Sequence, residues 1–165
     1  METRRDTEDG VVVGVLAFAA VAAFYSLFDS LAARGPLFTV NLLGRAVFRG
    51  LRDPAVLQYP VAIDPGAIMR YNFLHLGLSL LIGLIVVRFV GQGERDVARA
   101  RTMSALIVAG FVVTIGLVGW LSVPIRPLLP WWSIVVANVA AVLVGAAYLR
   151  YRRPGVLGRM LRPAR

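Results

Sequence analysis

The chain has 165 residues, 58% apolar and only 16% charged, whereas soluble domains have about 45–50% and about 25%; the balance is that of a membrane protein. It has no cysteine, which excludes disulfides, thiolate metal sites and cysteine nucleophiles, and its 18 basic residues are all arginine, which excludes Schiff-base lysine chemistry and a phosphate-loop lysine. The formal charge of +9 does not point to nucleic acid, because the arginines lie at the ends of apolar segments and in the C-terminal tail, where membrane topology accounts for them.

Four apolar segments follow one another: Val11–Leu31, Ala67–Val90, Met103–Ser122 and Trp131–Leu149. Each has about 20 residues, the length an α-helix needs to cross about 30 Å of hydrocarbon. The first is not patterned as a cleaved signal peptide: "METRRDTEDG" carries four acids against two arginines, and no A-x-A site follows the apolar run before charge resumes. The expected fold is therefore all-α: a single polytopic domain over residues 1–165, a four-transmembrane-helix bundle.

The first loop, residues 35–66, is predicted to carry a short amphipathic helix over about 38–51. Asn41, Arg45, Arg49 and Arg52 recur there at helical spacing, with Leu43, Val47 and Leu51 on the other side. That pattern reads as an interfacial helix whose arginines touch lipid phosphates, or alternatively as a docking face for a partner or an anionic ligand. Asp64-Pro65 predicts an N-cap followed by proline at the first position of the second long helix. "GQGERDVARART" reads as a charged turn between the second and third helices. "SVPIRPLLP", flanked by Trp120, Trp131 and Trp132, breaks the chain at a water–lipid interface.

Four spans put both termini and the 91–102 turn on one side, with twelve arginines, and leave six (Arg34, Arg45, Arg49, Arg52, Arg70 and Arg126) on the other. The positive-inside rule then places both termini in the cytoplasm of a bacterial inner membrane. The arginine-rich tail, residues 150–165, serves as a topological anchor suited to anionic lipid headgroups. Ala19-x-x-x-Ala23, Ala141-x-x-x-Gly145 and the face bearing Gly110, Gly116 and Gly119 are the candidates for close helix contact.

The one histidine, His75, lies within "YNFLHLGLSLL". Asn72, His75, Ser79 and Gly83 fall on one stripe of that helix. Counting 1.5 Å per residue from the helix ends puts Ser26, Thr114 and Asn138 at a depth of about 8–13 Å, close to that of His75. This predicts a polar layer inside the bundle, with a neutral imidazole bonded to Asn138 or Ser26. Asp29 and Arg70, nearer the loop side, are candidates for an ion pair. As a haem ligand His75 has no second histidine in the chain, and as a metal ligand it has too few companions. No nucleophile–base set is visible, so catalytic residues, resident cofactors and metals are not expected.

The function expected from these features is a non-enzymatic accessory or assembly subunit of a membrane complex. It would have the bilayer and other membrane subunits as partners. Two alternatives stand beside it. One is a small transporter or proton-coupled channel using Asp29, Arg70, His75 and Asn138; the other is a redox subunit binding haem or quinone at His75.

Overall fold

The computed structural model describes residues 2–51, 53 and 61–154. Among these the regular structure is all helical, in five α-helices: α1 (Glu2–Leu31), α2 (Phe38–Phe48), α3 (Pro65–Arg95), α4 (Val97–Leu121) and α5 (Trp131–Arg152), with a short 3-10 turn at Val123–Ile125 before α5. The four long helices are each long and apolar enough to cross a membrane.

The helices run past the apolar segments that define them. α1 begins nine residues before Val11, α3 continues to Arg95 and α4 starts at Val97, so the expected turn over 91–102 shrinks to a break at Asp96. The reason is that charged residues such as Glu and Arg are good helix formers and stop nothing once they leave hydrocarbon. Asp96, with extended backbone (φ −141°, ψ 109°), ends one helix and caps the next, its carboxylate facing Arg99 at 3.1 Å. The predicted cap of α3 forms: Asp64 Oδ1 accepts the Ala67 N–H at 2.9 Å, with Pro65 at the first helical position.

The centre of the molecule is the seam between α1 and α3. A Cβ on Gly14 would lie 2.6 Å from Leu80 Cα and 2.7 Å from the Ser79 carbonyl oxygen, and one on Gly10 would lie 2.9 Å from Leu84 Cα. A Cβ on Gly83 would run into the α1 backbone at Gly10 and Gly14. Glycine at these three positions lets the two backbones touch, which is how apolar helices gain contact energy that lipid does not already give them. α5 lies on the other side of α1, with Ala137 and Gly145 buried and Val13 against Gly145. The expected Ala141/Gly145 face is thus part of this contact, whereas Ala19 and Ala23 are exposed.

α4 is attached differently. Near the termini Ala100, Met103 and Ile107 pack on Val86, Val87 and Val90 of α3, and at the other end Ile115 joins a cluster formed by α2, the 3-10 turn and α5. Between and around these contacts α4 is bare, and none of its most apolar stretch is buried.

Candidate functional site

The polar side chains of the chain collect at its two ends rather than in a middle layer. At the loop end the organiser is Asp29, fully buried at the end of α1. Leu37, at the N-cap of α2, has no side-chain acceptor for that helix's free N–H groups. Asp29 supplies one from a neighbouring helix: its Oδ2 accepts the Thr39 N–H at 2.6 Å and its Oδ1 accepts the Thr39 hydroxyl at 2.8 Å. A carboxylate at a helix N-terminus also meets the positive end of the helix dipole. Arg34 completes the charge balance, at 3.1 Å from Asp29. It also donates to the Leu128 carbonyl at 2.8 Å and lies over the rings of Phe28 and Phe38.

α2 then holds the start of α3. The Asn41 amide donates to the Ala62 carbonyl at 3.0 Å and accepts the Asp64 N–H at 3.0 Å. Arg45 donates to the same Ala62 carbonyl at 2.7 Å. Arg49 forms a forked pair with Asp64, its Nε at 2.8 Å. The Arg49 hydrogen bond is the main reason, and the Ala67 N–H the second, that the Asp64 carboxyl titrates at about 2. A Cβ on Gly44 would sit 2.6 Å from the Ala67 carbonyl oxygen, so α2 and α3 are in backbone contact.

This corrects the surface-helix expectation. The Asn41, Arg45 and Arg49 side is turned to the protein's own 62–64 backbone and Asp64, while Phe38 and Leu42 are buried and Val47 is exposed. α2 is a clamp on α3, ending at Phe48 rather than 51. Its polar stripe reads as a lipid-facing or partner-facing surface only if its acceptors within the chain are unknown. Arg52 lies outside the described residues.

At the terminal end Arg153, just past α5 and 5% exposed, is surrounded by three acids from two other helices. It reaches Asp6 and Asp9 of α1, both at 2.7 Å, and Glu94 of α3 at 3.0 Å. Asp9 is fully buried and also accepts the Tyr148 hydroxyl at 2.9 Å. Arg152 stands 3.4 Å from the same carboxylate, and Arg5 of α1 donates to the Arg152 carbonyl at 2.9 Å. One guanidinium therefore ties α1, α3 and α5 together. Each Asp9 oxygen is saturated with donors, an arrangement suited to fixing helices and not to accepting a substrate proton.

The expected middle layer does not connect. Asn138 donates to Ile134 O and Thr114 to Gly110 O, each within its own helix, while Ser26 donates to Pro36 O. In an apolar setting the carbonyl four residues back is always within reach, and it outcompetes a partner across the bundle. Ser79 is buried at the α1–α3 seam and Asn72 is half-buried. His75 is half-buried between Phe18 of α1 (ring centroids 5.1 Å apart) and Tyr71 (6.0 Å), with no hydrogen bond among the described residues. The expected Asp29–Arg70 pair is absent too: Asp29 is taken by Arg34, five residues along the chain, and Arg70 is exposed.

Sequence reading missed Arg34, Thr39, Asp9, Glu94, Tyr148 and Arg153. One signal for the terminal cluster was present: acids precede the first apolar segment and arginines follow the last, on what four spans make the same side. Among the described residues no group of three or more His, Asp or Glu is placed to hold a metal ion. Comparison with protein-family models, curated proteins and solved structures finds no match to this chain.

Proposed function

We propose that this protein is a multi-pass subunit of the bacterial inner membrane that assists the assembly of a larger membrane complex, without catalysing a reaction itself. The observation that carries this reading is the outward side of α4. Ala105, Ala109 and Gly116 lie along it, all exposed, flanked by Val112 and Val113 at 61% and 67% exposure. A Cβ on Gly116 would meet nothing within 4 Å. At Gly10, Gly14 and Gly83 glycine lies where another helix backbone presses close, whereas Gly77 of α3, like Gly116, meets nothing within 4 Å. The α4 side has the same small-residue chemistry, and the partner proposed for it is a transmembrane helix of another protein. The two charge clusters support this by holding the remaining helices in one arrangement, so that α4 is presented on a fixed frame.

The assembly is tested by native electrophoresis of mildly solubilised membranes. The wild-type chain is expected to migrate in a larger complex and Gly116→Leu as the free chain, with equal amounts of both in the membrane. Migration of both variants as the same small species would sink the proposal. Orientation rests on the arginine asymmetry, which puts both termini in the cytoplasm. In this cysteine-free chain a cysteine at Ile63 should react with an impermeant reagent in intact spheroplasts, and one at Thr102 only after lysis.

A further inference from the structure

A second surface, adjoining the outward side of α4 at its loop end, has the form of a lipid site. At the loop end a cavity of about 270 Å³ opens between α4 and α5, lined by Ile115, Gly119, Arg126, Trp131, Ile134 and Val135. Its size falls just below the range for drug-sized ligand sites, about 300–1,000 Å³, room for part of a hydrocarbon chain. Ile115 is six residues from the end of α4 at Leu121, so the cavity reaches about 9 Å along that helix. Its lining is aliphatic apart from one glycine, one cation, Arg126, and the exposed Trp131, a residue type that favours the headgroup level.

The arginines at this end differ in what they bind. Arg34, Arg45 and Arg49 donate to protein acceptors, whereas Arg70 and Arg126 are exposed and have no hydrogen bond or ion pair among the described residues; of these two, Arg126 lines the cavity. A free guanidinium over an aliphatic slot suits a ligand with a phosphate at one end and a hydrocarbon chain at the other, since the planar fork pairs with phosphate oxygens in two parallel bonds. We propose that this cavity binds one anionic phospholipid, its phosphate on Arg126 and the upper part of one acyl chain between Gly119, Ile115, Ile134 and Val135. Gly119 matters here because a Cβ would meet nothing within 4 Å: the missing side chain is the room the acyl chain takes. The proposal rests on the four-span reading but not on the assembly role of α4.

The test is native mass spectrometry of the purified full-length chain titrated with phosphatidylglycerol, phosphatidylcholine and inorganic phosphate, for wild type, Arg126→Gln and Gly119→Leu. Both substitutions fall in open surroundings, and unchanged helical melting checks that the variants are folded. Wild type should hold one phosphatidylglycerol about ten-fold or more tightly than either variant, the loss expected when a charge-assisted bond or its companion contact is removed. It should prefer phosphatidylglycerol to phosphatidylcholine, and millimolar phosphate should not displace the lipid. Equal binding by all three chains, indifference to headgroup, or displacement by phosphate alone would each overturn the proposal. Gly116→Leu serves as the cross-check: lost assembly with phosphatidylglycerol binding intact fails neither idea, and the two proposals can fail separately.

Discussion

α1 and α4 look alike in the sequence, both being about 20 apolar residues interrupted by glycine, yet they occupy opposite situations in the fold. Gly10 and Gly14 of α1 are pressed against the α3 backbone, while Gly110 and Gly116 of α4 face open space. α1 is also tied through Asp6 and Asp9 to Arg153 beyond α5, and through Asp29 to the α2 clamp. Among the described residues α4 packs through aliphatic contacts toward its two ends. The difference shows that composition makes a helix long and apolar enough to cross a membrane, but the placing of glycines and terminal charges relative to other helices decides whether it is framework or free surface.

The strongest way to break the framework is to remove its central cation. Arg153→Gln leaves Asp9 fully buried without its main counter-charge, and breaking a buried pair in this way costs about 3–5 kcal/mol. Thermal unfolding in detergent should show a large fall in melting temperature, and an unchanged melt would mean the cluster contributes nothing. Gly14→Leu comes next. The new side chain has no space that does not belong to the α3 backbone, and overpacking of that kind costs about 1–3 kcal/mol, occasionally more. The matching change in α4 should run the other way. Gly116→Leu meets no neighbour and replaces the poorest helix former but proline, so the isolated chain should be as stable as wild type or more so, by up to about 1 kcal/mol. A destabilised Gly116→Leu monomer would remove the contrast between the two helices.

The smallest expected effect concerns the α2 clamp and acid. The Asp64 carboxyl is lowered from 3.8 to about 2 when folded, first by Arg49. A depressed folded value means that the latch contributes fully above the unfolded value and is lost as pH falls through the folded one. Protection of the Ala67 amide from hydrogen exchange should therefore decline between pH 3.8 and about 2. In Arg49→Gln that decline should begin at higher pH, because the chief cause of the shift is gone.

The four long apolar helices were legible because hydropathy over 20 residues is a local property, and the Asp64-Pro65 start of α3 was legible because a cap and its helix are neighbours in the chain. The terminal cluster was not, since Asp9 and Arg153 are 144 residues apart and meet only once α1 and α5 are known to be adjacent. The α2 arginines misled for a related reason: helical spacing shows that Arg45 and Arg49 share a side with Asn41, but not that the Ala62 carbonyl and Asp64 lie opposite it. The middle layer failed because equal depth does not bring side chains together when each has a carbonyl of its own helix within reach, as Asn138 and Thr114 do.

Whether a partner helix covers α4 in the membrane is the decisive question. A photo-crosslinking amino acid placed at Val113, on the outward side of α4, is compared in living cells with one at Phe73, 69% exposed on α3. Val113 is expected to give one discrete protein adduct, lost in the Gly116→Leu background, while Phe73 gives none. Val113 and Phe73 both giving no protein adduct, or Val113 giving only an adduct with a second copy of this chain, would contradict it.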